Sequence, residues 1–157
     1  VFLEPSYCEP TLDSIKAIKK ADVISIGPGS LYTSILPNLL IEEITEALRE
    51  SDALKVYICN VMTQPGETTG YTVSDHIRAI YEHVGNNIFD FVIVNNEKGS
   101  ENLRRKYREE GAYPVEIDRD EIRRLDVKII EDKLLSKNNY LRHDPDKTAK
   151  KILELVR

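Results

Sequence analysis

Two short β-branched runs, each breaking off into a glycine-bearing polar loop, constrain this chain more than any other feature. The first is Val23-Ile24-Ser25-Ile26, which enters Gly27-Pro28-Gly29-Ser30-Leu31-Tyr32-Thr33-Ser34. The second is Lys55-Val56-Tyr57-Ile58-Cys59-Asn60-Val61, which enters Met62-Thr63-Gln64-Pro65-Gly66-Glu67-Thr68-Thr69-Gly70-Tyr71. Continuous apolar runs of this length suit strands buried on both faces, and so a parallel sheet covered by helices. In an open α/β sheet, ligands bind at the carboxyl edge, where such loops emerge.

The remaining segments extend the same pattern. Val1 to Leu3 reads as a strand, followed by a helix carrying Leu12, Ile15 and Ile18 down to Lys19-Lys20. Ile41, Ile44, Ala47 and Leu48 form the apolar stripe of a further helix. Thr72 and Asp75 resemble a capping box opening a helix that buries Ile77, Ile80 and Val84 and stops at Gly85. Phe89 to Val94 is the strongest strand signal and ends at Asn95-Asn96. Ser100 caps a helix with Leu103 and Tyr107, which Gly111 ends; then come a short strand at Pro114 to Ile117, a short helix over Asp118 to Leu125, and a strand over Asp126 to Ile130. Asp144 at N-cap and Pro145 at N1 open a last helix with Ala149, Ile152, Leu153 and Val156 on one face. Strands alternating with helices imply right-handed β-α-β units. The expected fold is a single α/β domain over residues 1–157: a doubly wound, mostly parallel Rossmann-like sheet with helices on both faces.

The loops carry the candidate chemistry. Glycine admits close backbone approach to an anion, and the Ser30, Thr33 and Ser34 hydroxyls add donors, which suits phosphate. Taken alone, the same stretch reads equally as a tight turn with polar residues facing water, since neither standard glycine-rich phosphate fingerprint is met. Asn60, Gln64, Thr68 and Thr69 are neutral donors and acceptors of the type that reads a nucleobase or sugar hydroxyls; a solvated Asn/Thr-rich loop is the alternative. Arg142, just before a helix N-terminus, can hold a phosphate or simply face solvent. Tyr107 is either core packing, which spacing favours, or a platform for a base. His76 and His83, seven residues apart, do not match a helical metal pair and read as surface histidines. No nucleophile-and-base arrangement emerges.

Composition bounds the partners. A formal charge of -5 with a pI near 5.3 argues against general nucleic-acid binding, and 41% hydrophobic content supports a real core. Cys8 and Cys59 lack C-x-x-C spacing and read as reduced, buried thiols, with a single disulfide between them as the alternative. No apolar run spans a membrane and no leader opens the chain, so a cytoplasmic location is expected. The start at Val1-Phe2-Leu3, without Met, reads as the continuation of a longer polypeptide.

The string from Ala21 to Leu40, the string from Asn60 to Tyr71 and Arg142-His143-Asp144 resemble the YvcK family of gluconeogenesis factors. Those proteins are Rossmann-like and related to the 2-phospho-L-lactate transferases. The resemblance implies the carboxyl-terminal half of such a molecule, with the other half supplying part of the cleft and any Mg²⁺-binding carboxylates; no cofactor is expected within this chain. It implies binding of a nucleotide sugar, notably UDP-N-acetylglucosamine, by a homo-oligomeric regulator needed for cell shape and cell-wall synthesis under gluconeogenic growth. By resemblance, Gly27 to Ser34 would lie along the diphosphate, with Asn60, Gln64, Thr68 and Thr69 beside it. Tyr107 and Arg142 would contact the nucleoside and the phosphate or sugar. The alternative reading is a transferase acting on a nucleoside-diphosphate-linked donor.

Overall fold

Each of the long apolar runs becomes a parallel strand. The computed structural model describes residues 1–136 and 140–156. Val23–Ile26 (β1), Leu54–Ile58 (β2), Phe91–Asn95 (β3) and Lys128–Asp132 (β4) pair in the order β1-β2-β3-β4, parallel throughout. The register sets Ile26 beside Tyr57, Ile58 beside Ile93 and Asn95 beside Asp132, so the strands end along one edge.

The helices are α1 (Leu12–Lys20), α2 (Leu36–Leu39), α3 (Glu42–Glu50), α4 (Val73–Val84), α5 (Glu101–Glu109), α6 (Arg119–Arg124) and α7 (Pro145–Leu155). Side chains alternate across the sheet with period two. Ile26, Tyr57, Val92 and Val94 face a core completed by Leu48 of α3, Ile77 and Ile80 of α4 and Ile122 of α6. Val56, Ile93 and Leu134, flanked by Val23, Phe91 and Ile130, face the other way, against Ile152 and Leu155 of α7. The strand order is monotonic, so right-handed crossovers put α3, α4 and α6 on one face, while α5 packs through Leu103 and Tyr107 on a separate cluster with Met62 and Leu141. The other face is left to α7, which follows the last strand. The result is a Rossmann-like α/β fold with helices on both faces.

The helix ends follow the expected chemistry. Thr72 accepts from the Asp75 backbone N–H while the Asp75 carboxylate accepts from the Thr72 N–H, closing the capping box, and Gly85 ends α4 at φ 81°. Ser100 accepts from Leu103 N, and Asp144 from Asp146 N and Lys147 N with Pro145 following.

Four expectations change. Val1 to Leu3 form no strand, since no sheet edge meets them, and Phe2 stands 82% exposed. Pro114 to Ile117 make only isolated bridges, Met62 with Pro114 and Thr72 with Glu116, because Pro114 has no N–H to continue a ladder. The stretch after Gly29 is not an extended loop: Leu31–Ile35 winds as a single π-helical turn that runs directly into α2. His76 is a core residue, fully buried, with its Nδ1–H donated to the Thr72 carbonyl at 2.8 Å. That internal bond lowers the cost of burying an imidazole.

Candidate functional site

The loops after β1 and β2 meet through a side-chain relay. Gln64 Nε2 donates to Ser30 Oγ at 2.7 Å, and Asn60 Nδ2 donates to Gln64 Oε1 at 3.3 Å. The Gln64 backbone N–H is itself held by Thr68 Oγ1 at 2.9 Å. Thus one glutamine joins two loops whose strands are neighbours in the sheet.

Above this relay lies a cleft of about 690 Å³. Pro28, Gly29 and Ser30 line one side, Asn60 to Pro65 the floor, and Tyr107, Glu110 and Ala112 the next wall, with Leu141, Arg142 and His143 completing it. The far wall rests on a small separate core of Met62, Ala112, Leu135 and Leu141, backed by Val61, Leu103 and Tyr107. Tyr107 positions the last segment by accepting from the Leu141 N–H at 3.3 Å. The Arg142 guanidinium sits over the Tyr140 ring, 5.3 Å from its centroid, and is solvent-facing.

Glycine geometry shapes the entrance. Gly27 has φ 84°, and a Cβ there would meet the Ile58 carbonyl oxygen at 3.1 Å and Ile35 Cδ1 at 3.3 Å. The β1 loop can therefore pass over the end of β2 only without a side chain.

Of the residues singled out in sequence, Pro28, Gly29, Ser30, Asn60, Gln64, Tyr107 and Arg142 come together around this cleft. The others lie elsewhere. Gly27 is the turn beneath it, Leu31 is fully buried in the core, and Thr33 and Ser34 are exposed on the π-helical turn. Tyr32 is hydroxyl-paired with Tyr71 at 2.7 Å, and burial, then that bond, pushes its pKa up to about 12. Thr68 is fully buried and Thr69 accepts from Gly66 N at 3.2 Å, so both hydroxyls brace the second loop. A hydroxyl spacing in sequence does not reveal that a local backbone N–H will claim it.

His143 was not singled out, although it lies between the chosen Arg142 and the cap Asp144. Its Nε2–H donates to the Cys59 carbonyl at 3.0 Å, which pins the segment carrying Arg142 to the carboxyl end of β2. Nδ1 is then an unprotonated acceptor, buried and without a partner among the described residues. Burial lowers the His143 pKa against the smaller opposing effect of the Cys59 bond, so the ring is neutral at pH 7. The nearby Cys59 thiol is pushed up to about 12 by burial and is no thiolate nucleophile at neutral pH. Among the described residues no group of three or more His, Cys, Asp or Glu could hold a metal, and Glu110 is the one carboxylate lining the cleft. What the cleft offers is an array of neutral donors and acceptors with the Tyr107 ring, the neutral His143 imidazole, the Arg142 cation and the Glu110 carboxylate on its walls. That set reads a polar ligand bearing an anionic group.

A family model described as 2-phospho-L-lactate transferase CofD matches residues 1–135. The gluconeogenesis factor of Bacillus subtilis (strain 168) is 46% identical over 158 residues, taking in 100% of this chain and 50% of that protein. The gluconeogenesis factor of Halalkalibacterium halodurans is 50% identical over 155 residues, taking in 98% of this chain and 48% of the relative. A crystal structure of a UPF0052-family protein from Bacillus halodurans superposes with a TM-score of 0.94 at 49% identity, covering 97% of this chain and 49% of that one. The chain spans about half the length of the relatives it matches. No described helix is long and apolar enough to cross a membrane.

Proposed function

The chain belongs to the CofD family, and from that premise we propose that it binds a nucleotide sugar of the UDP-N-acetylglucosamine kind in the cleft between the β1 and β2 loops. Carrying over the name of its relatives, we assign it to the gluconeogenesis factors: a cytoplasmic, homo-oligomeric regulator that supports cell shape and cell-wall synthesis on gluconeogenic carbon sources, holding its ligand without turnover. The observation that carries the reading is the Ser30–Gln64–Asn60 relay facing Tyr107 and Arg142 across one cleft.

The chemistry of each residue fits a part of such a ligand. Gly29 lets the β1 loop turn close over Ser34, whose Cβ a Gly29 Cβ would meet at 3.1 Å, and so lays loop backbone along the cleft for a diphosphate. Arg142 supplies the charge-assisted bond to a phosphate. Tyr107 offers a ring face to a base, and the carboxamides of Asn60 and Gln64 match the donors and acceptors of a base edge or sugar. The half of the relatives that this chain does not cover would supply the remainder of the cleft, including any carboxylates for Mg²⁺.

Calorimetric titration of UDP-N-acetylglucosamine into the complete protein, with UDP, GDP and NAD as controls, tests the proposal. Losing one charge-assisted hydrogen bond is worth about 1.5–3 kcal/mol, so Arg142→Ala should weaken binding roughly 10- to 150-fold. Absence of selective binding by the folded wild type would reject it. A transferase acting on a nucleoside-diphosphate-linked donor is the second reading, favoured by the description of the matching family model. Steady product formation from such a donor with Mg²⁺ would establish turnover and displace the regulator-only view.

A further inference from the structure

At the carboxyl ends of β3 and β4, beyond Met62 and Leu141 from the first cleft, lies a second one of about 470 Å³. Two charged atoms at this cleft are buried without partners among the described residues, Nε of Arg104 and Oε2 of Glu97. Leaving a buried polar atom unpaired costs on the order of 1–3 kcal/mol and more when it is charged, so each such atom calls for a partner from outside the chain.

The surroundings say what that partner is. Arg104 lines the cleft and is anchored through Nη2 to Glu101, its Nε has no partner among the described residues, and its side chain stays 30% exposed. Lys98 is exposed and has no ion-pair partner among the described residues. Arg119 differs: Glu131 engages it through two bonds of 2.5 and 2.6 Å, so it braces the wall. Glu97 is fixed by Asn95, whose Nδ2 donates to the Glu97 carbonyl at 2.8 Å and whose Oδ1 accepts from Glu97 N at 3.3 Å and Leu134 N at 3.0 Å. The Arg104 guanidinium, the Lys98 ammonium and the Glu97 carboxylate, which can only accept, thus line one cleft. The matching ligand carries an anionic group and a hydroxyl on one small frame.

We propose that this cleft is a second ligand site, for a small hydroxylated organic anion such as a sugar phosphate or sugar acid. The anion meets Arg104 and Lys98, and a hydroxyl donates to Glu97. Val61, Met62 and Leu141 line both clefts, so the two occupants sit on opposite sides of one thin apolar wall. The inference stands on Arg104 and Glu97 and does not depend on what fills the first cleft.

The test titrates glucose 6-phosphate, gluconate, inorganic phosphate and sorbitol into the complete protein by calorimetry. Glucose 6-phosphate or gluconate should bind at least tenfold more tightly than phosphate or sorbitol, and which of the two binds identifies the anion. Arg104→Gln should weaken that binding tenfold or more while leaving UDP-N-acetylglucosamine affinity within twofold, and Arg142→Ala should leave it within twofold. Should Arg104→Gln lower the melting temperature, Lys98→Gln at its exposed position carries the same test with a smaller loss. The proposal is overturned if neither acid binds the folded protein, or if inorganic phosphate binds equally. It is also overturned if the charge variants change nothing, or if UDP-N-acetylglucosamine competes directly for the site.

Discussion

Replacing Gly27 by alanine tests whether the β1 loop is placed by backbone geometry. Gly27 holds φ 84°, a left-handed conformation, and a Cβ there would lie 3.1 Å from the Ile58 carbonyl oxygen and 3.3 Å from Ile35 Cδ1. The dihedral costs about 1–2 kcal/mol for a residue with a Cβ. Pushing backbone and a buried Ile35 aside adds about 1–2 kcal/mol, and the stiffer unfolded chain returns about 0.5. The net loss is about 1.5–3.5 kcal/mol, or roughly 3–14 °C in Tm for a chain of this size. Gly66 is the internal control: its φ is 81° and a Cβ would meet nothing within 4 Å. Gly66→Ala should therefore lose only the dihedral part, about 1 kcal/mol and roughly 2–4 °C. Thermal and urea denaturation followed by circular dichroism measure both. Equal losses for the two variants, or a loss below about 0.5 kcal/mol at Gly27, would refute the close-approach argument.

Other outcomes follow from single contacts. Asp118 accepts from Thr72 Oγ1 at 2.8 Å, Ser74 N at 3.0 Å and Ser74 Oγ; burial alone would raise its pKa, but these bonds outweigh it and the pKa is lowered from 3.8. Its stabilisation is therefore present above the unfolded value and lost as pH falls through the folded one, so Asp118→Asn should cost about 1–2 kcal/mol at neutral pH and less in acid, by urea midpoints. His76 and His143 have pKa values lowered by burial from 6.5, so the unfolded chain binds more protons below that value. Stability should then fall as pH drops from 6.5 toward the folded values, and His143→Gln should flatten part of that slope in a pH series of urea melts. Gly99 has φ 66° and a Cβ there would come within 2.4 Å of Leu141 Cδ2, so Gly99→Ala should both lower Tm and weaken ligand binding, by displacing the segment that carries Arg142.

Much of this molecule was legible because its strongest signals are local. Val23 to Ile26 begins and ends as its β-branched run does, and the caps at Thr72, Ser100 and Asp144 sit where hydroxyl and carboxylate chemistry puts them. The misread parts depend on tertiary partners. Leu31 to Ser34 followed a Gly-Pro-Gly turn and read as loop, yet Leu31 and Ile35 are buried, and packing them winds the chain into a π-helical turn. His76 sits beside Ile77 on the inner face of α4, and only the Thr72 carbonyl four residues back makes that burial tolerable. At the cleft, the residues brought together include the amides, the aromatic and the arginine. The hydroxyls of Thr68 and Thr69 are taken by nearby backbone, and the role of His143 needs the Cys59 carbonyl, far away in sequence, which no local pattern marks.

The most direct measurement is an amide chemical-shift map of the complete protein, ¹⁵N-labelled and titrated with UDP-N-acetylglucosamine. The largest shifts are expected at Gly29, Ser30, Asn60 to Gln64 and Leu141 to His143, with the Gln64 side-chain amide moving as its bond to Ser30 is exchanged for one to ligand. Shifts confined to other surfaces, or none at saturating ligand, would contradict a nucleotide-sugar cleft at the β1 and β2 loops.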